Sequence, residues 1–227
     1  MIRRFLTGTA LLLAVCSVAP AQSLKQLKHQ PPNGAGIGFL LTDGTAMFQG
    51  NGGSDWYKLT PDINGSYVNG AWTKLANLPA GYVPDAFASA VLSDGRVVVV
   101  GGEYNNGAFV LTNRGAIYDP KANTWTSLAP PKNWLYIGDS PSVVLPNGKF
   151  LVGNKLNKQM AALDPKTLTW KTVGSAGKSD FDGASSEGDL IHPRQRRAFA
   201  EHLFLDDPSA RLLHRGMAAS AEFNQKR

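Results

Sequence analysis

Cysteine is almost absent: the 227-residue chain carries one, Cys16, so no disulfide within the chain can staple the fold. Long apolar runs are missing too. The longest, around Leu11–Val15, falls short of the ~20 residues a membrane-spanning helix needs, so no stable membrane span is expected. Histidine is scarce, with four in all, and only His29 precedes residue 192. No run of basic residues interleaved with aromatics occurs before residue 190. The formal net charge of +6 therefore reads as scattered surface charge, and no nucleic acid is expected as a partner. Gly-x-Ser-x-Gly, His-Glu-x-x-His and phosphate-cradling loops are all absent. Gly50-Asn51-Gly52-Gly53 belongs instead to the end of a strand.

The short apolar run has a different meaning. Arg3-Arg4, the run itself and the small-x-small triplet Ala19-Pro20-Ala21 form a Sec-type signal peptide over residues 1–21. Cleavage after Ala21 would start the mature chain at Gln22 and remove Cys16, which has no lipobox context. A cysteine-free exported body of ~200 residues fits one domain plus a tail in the periplasm or outside the cell. Residues 22–34 read as an N-terminal linker.

What the chain has in quantity is glycine, 24 residues of it, punctuating short extended runs. The clearest stretch is residues 86–131. Ala86–Leu92 and Arg96–Val100 flank Ser93-Asp94-Gly95, a hairpin turn in which Gly takes positive φ without a Cβ clash. The four valines fit a strand buried on both faces. After Gly101-Gly102 a third run, Gly115–Tyr118, stops at Asp119-Pro120, and Trp125–Leu128 is the fourth.

This unit has a copy on each side, over residues 35–80 and 139–176. Turn glycines recur at 44, 95 and 148, and strand-closing tryptophans at 72, 125 and 170. A period near 50 residues belongs to repeat architectures built of four-stranded blades. The shared order is strand, Asp/Asn-Gly, apolar strand, glycines, strand ending in Asp-Pro or Thr-Pro, then Trp-x-x-Leu/Val. In these features residues 35–175 resemble the secreted, galactose-oxidase-like proteins of the kelch-repeat β-propeller family. The third copy matches more loosely: Gly153-Asn154 replaces the glycine pair and Leu163 the tyrosine. The resemblance implies an all-β partial propeller of about three four-stranded blades, with the blade region over 35–183. Trp72, Trp125 and Trp170 are expected to pack between blades.

Propellers close with four to eight blades, and the repeat stops at three. Residues 184–227 use arginine where the blades use lysine, contain no valine, and hold His192, His202 and His214. A short helical or disordered tail is expected. It reads either as a native cap or as a frame-shifted or truncated end, and the switch in basic residues fits the second better. Self-association could then complete the ring.

Family resemblance brings copper-radical galactose oxidases into view, whose chemistry implies a cysteine cross-linked to tyrosine. The mature chain has no cysteine, so a site of that type is not expected. His192, His202 and His214 do not have a metal-binding spacing, and Asp180-x-Asp182-Gly183 with Glu187 departs from a calcium loop. No cofactor, metal or catalytic set is expected. The leading expectation is a non-catalytic binding module for protein or cell-surface carbohydrate; the alternative is an exported hydrolase or lyase. Contacts are expected from the inserts Asp62–Ala71, with Tyr67, and Glu103–Thr112, with Tyr104, Asn105 and Asn106. The link bearing Trp134, Leu135 and Tyr136 is the best candidate for an exposed aromatic contact, with packing as the favoured reading of its aromatics.

Overall fold

The computed structural model describes residues 24–174. The expected signal peptide and tail lie outside the described residues. Within them the protein is all-β apart from one 3-10 turn, Tyr67–Asn69. Blade 1 is an antiparallel sheet of β1 (Gly38–Leu40), β2 (Ala46–Gln49), β3 (Trp56–Thr60) and β4 (Ala71–Lys74) in that order. A short strand, β5 (Pro84–Asp85), opens the link into blade 2. Blade 2 contains β6 (Ala88–Val91), β7 (Val97–Val100), β10 (Gly115–Asp119) and β11 (Thr124–Leu128). Between β7 and β10, β8 (Tyr104–Asn105) and β9 (Ala108–Phe109) join β5 in a three-stranded sheet. Blade 3 is β12 (Ser142–Val144), β13 (Phe150–Asn154), β14 (Asn157–Asp164) and β15 (Thr169–Val173). Three such blades make a partial propeller.

Each blade opens with the same chemistry. Asp43, Asp94 and Asn147 accept hydrogen bonds from the backbone amides two residues on, Thr45, Arg96 and Lys149. Gly44, Gly95 and Gly148 follow at φ of 79°, 87° and 79°. Three-residue hairpin turns with glycine in the left-handed region result, and they set the register of the first two strands.

Burial follows the pleat. Val97 to Val100 are all buried, but alternate residues serve different cores. Val97 and Val99 join Met47, Trp56, Ala116 and Tyr118 in the seam between blades 1 and 2. Val98 and Val100 join Ile117, Phe150, Val152 and Leu163 between blades 2 and 3. Burying each such side chain fully contributes about 1.5–3 kcal/mol. A third cluster, Val143, Leu151, Met160 and Ala162, lies on the other face of blade 3.

The repeating tryptophans bridge the seams. Trp125 Nε1 donates to the Ala76 carbonyl at 3.1 Å and Trp170 Nε1 to the Ala129 carbonyl at 2.7 Å. Each acceptor directly follows the outermost strand region of the preceding blade. The rings pack as well: Trp125 lies 5.3 Å from Trp56 and 5.1 Å from Tyr118, and Trp170 packs edge-on to Phe150. Trp56, outside the periodic set, is fully buried in the first seam.

Candidate functional site

The blades bring two kinds of connection to one end: second-to-third strand loops, and the links entering each first strand. Backbone hydrogen bonds tie them together. Gly102 donates to the Gly138 carbonyl, Glu103 to Ala86, and Lys155 to Ile137. In blade 1 the buried Gln49 side-chain amide donates to the carbonyls of Gly53 and Pro84, at 3.0 and 2.9 Å. That amide locks the blade 1 loop to the link entering blade 2.

An exposed element at this end is the β8–β9 hairpin. Asn106 and Gly107 both have positive φ, 52° and 76°, the geometry of a two-residue hairpin turn that splays neither strand. Tyr104 pairs with Phe109 across it, rings 5.7 Å apart and edge-on at 72°. Phe109 is 62% exposed and Tyr104 39%, with Val110 exposed beside them. The Asn105 side chain is engaged within the fold. Its side-chain oxygen accepts from the Val83 amide and its nitrogen donates to Gly81, which pins the hairpin to the link before β5. Asn106 is exposed at the tip.

Behind the hairpin sits a charged trio that no local motif announced. Lys155 Nζ lies 3.4 Å from Glu103 Oε1 and 4.0 Å from Asp139 Oδ2. Lys155 is buried, whereas the Asp139 side chain is about half exposed, at 48%. Glu103 comes from blade 2, Lys155 from blade 3 and Asp139 from the link between them. Two carboxylates and one ammonium thus meet at this end of the seam.

The remaining expected contacts are distributed differently. Trp134 is only 4% exposed and forms part of the core between blades 2 and 3, so it takes the packing role and not the exposed contact. Leu135 is the exposed large hydrophobic residue of that link. Tyr136 is half-buried, its carbonyl accepting from the Asn154 side chain at the same end as the trio. Tyr67 lies at the opposite end of blade 1, where its hydroxyl donates to the Gly44 carbonyl of the β1–β2 turn. The structure thus gathers Tyr104, Asn105, Asn106 and Tyr136 and leaves Tyr67 apart. Phe109, Glu103, Asp139 and Lys155 are the residues sequence reasoning did not single out. Among the described residues no group of three or more His, Cys, Asp or Glu could hold a metal ion, and no helix is long and apolar enough to cross a membrane.

Comparison with known proteins agrees with this architecture. A family model described as "Kelch motif" matches residues 86–132, which is blade 2 with its flanks. Two curated galactose oxidases of Gibberella zeae, one from strain PH-1, are 30% identical over 142 residues. The match takes in 61% of this chain and 20% of theirs, so the chain spans about a fifth of the length of these relatives. Among solved structures, that of YjhT superposes with a TM-score of 0.53 at 24% identity, covering 69% of this chain and 55% of that one. That likeness is one of fold.

Proposed function

The chain belongs to the kelch-repeat β-propeller family, and from that premise we propose that it is an exported recognition module for protein or carbohydrate. One observation carries the reading: the exposed Tyr104–Phe109 ring pair on a hairpin anchored by Asn105. Exposed aromatics held by hydrogen bonds, rather than by burial of their own rings, present apolar area at little entropic cost. Such a pair fits the C–H face of a sugar ring or an apolar side chain of a protein. Asn106 and the half-exposed Asp139 supply polar partners at the same end. The oxidase activity of the relatives is not carried over, since the chain spans so little of their length. Export is part of the same proposal.

Glycan-array and pull-down binding tests it with the full chain and with Tyr104→Ala and Phe109→Ala. Binding that both variants lose while keeping the parent melting temperature supports the reading. Binding unchanged in both, or none by the parent chain, overturns it.

A second reading rests on the Glu103, Asp139 and Lys155 trio, because paired carboxylates with an ammonium are groups that move protons. It makes the chain a hydrolase or lyase. Turnover of oligosaccharides abolished by Glu103→Gln and Asp139→Asn would favour it over simple binding.

A further inference from the structure

The bond made by Trp72 is out of place for a first blade. Trp125 and Trp170 donate to carbonyls of the preceding blade's exit, Ala76 and Ala129. Among the described residues no blade precedes blade 1, yet Trp72 Nε1 makes the same bond, at 3.0 Å, to the His29 carbonyl. Residues 28–31 therefore stand where an exit strand would leave a preceding blade. The segment is fastened at three further points: Lys28 donates its amide to Val68, Asn51 to the Asn33 carbonyl, and the Asn33 side chain to Asp55. Its own side chains, from Leu24 to Gly34, are mostly exposed, so backbone and not apolar packing holds it in place.

The blade face beneath it is built to be covered. Pairing places Leu40, Ala46, Leu59 and Trp72 on one side of blade 1. The equivalent side of blade 2 carries Val91, Val97, Tyr118 and Trp125, and packs in the seam with blade 1. In blade 3 it carries Val144, Phe150, Leu163 and Trp170, packed in the seam with blade 2. Leu40 is the exception, 67% exposed where Val91 and Val144 are packed. The strap reaches the tryptophan but leaves the inner edge of the face open.

We infer that residues 24–34 are an end cap, a strap that takes the place of a preceding blade and competes with a second copy of this chain for the outer face of blade 1. The second copy is the occupant because this face continues the two seams the chain already makes with its own blades. A capped face keeps the chain from stacking further blades face to face, as terminal repeats do in stacked-repeat proteins.

Sedimentation velocity of the full chain and of a variant lacking residues 24–34 tests this. The full chain should sediment as a monomer, and the deletion should self-associate as concentration rises, with Leu40→Glu in the deletion restoring the monomer. A deletion that stays monomeric overturns the inference, as does a full chain that associates just as strongly. Hydrogen exchange on folded full-length protein covers the case in which the deletion does not fold. Trp72→Phe should speed exchange at the Lys28 and Asn51 amides about fivefold or more while Val99 is unaffected. Equal exchange at Lys28 in parent and variant would sink the cap.

Discussion

Trp125 of blade 2 donates its indole hydrogen to the Ala76 carbonyl, while Asn123 accepts from the Ala76 amide at 2.9 Å. Both polar groups of one backbone residue are thus held by the next blade. Trp125→Phe keeps most of the ring and loses the bond, so unfolding free energy should fall by about 1 kcal/mol. Trp125→Ala removes the seam contact with Trp56 and Tyr118 and should cost about 3–5 kcal/mol. Urea denaturation followed by far-ultraviolet circular dichroism measures both.

Gly101 marks the tightest approach between blades 2 and 3. It has φ of 76°, and a Cβ there would meet the Gly138 carbonyl at 2.5 Å and Ile137 Cγ2 at 2.7 Å. Gly107, at the same φ, faces open space. Gly107→Ala should therefore cost only the left-handed backbone, about 1–2 kcal/mol. Gly101→Ala adds displacement of backbone and should be plainly worse. The two melting temperatures, compared side by side, check the ordering.

Burial pushes the Tyr118 hydroxyl up from 10.0 to about 12. A raised folded-state value stabilises fully below the unfolded value and loses that contribution as pH rises through the folded one. Stability should therefore decline between pH 10 and about 12, and the decline should be shallower in Tyr118→Phe. Urea midpoints across that window supply the readout. Asp43 works in the opposite direction. The Thr45 hydroxyl, with its amide, holds the carboxyl below 3.8. Its contribution is present above 3.8 and is lost as pH falls through the lower folded value. Thr45→Val should thus be more destabilising at about pH 7 than at about pH 2.

Lys155 Nζ lies 3.4 Å from Glu103 Oε1 and 4.0 Å from Asp139 Oδ2 at a seam, so removing it takes the cation away from both carboxylates. Both carboxylates keep part of their solvent contact, so Lys155→Met should destabilise by about 1 kcal/mol. Adding Glu103→Gln should recover part of that loss. A double-mutant cycle in urea gives the coupling, and a cycle that closes to zero would show the pair to be independent.

The blades were legible because their signals are local and recur. Asp94-Gly95, the valines and Trp125 each point to one conformation, and the copies at 44, 148, 72 and 170 agree. The site was less legible. Asn106-Gly107 is a strong two-residue turn signal, but its strands, Tyr104–Asn105 and Ala108–Phe109, are too short to show alternation, so Phe109 went unremarked. Trp134 sits in a link with no periodicity, and its burial is decided by where blade 3 packs on blade 2. Glu103, Asp139 and Lys155 are far apart along the chain and meet only once those blades stack.

The four-valine strand carries a consequence for assembly. A slip of β7 by one residue against β6 and β10 would still leave valine facing both seams, so the strand's interior is nearly blind to such an error. Registration is delegated to its ends: Asp94, which grips the Arg96 amide, and Gly101, whose missing Cβ admits the Gly138 carbonyl. Among the described residues, this all-valine strand is aligned by the turn that precedes it and the glycine that follows it.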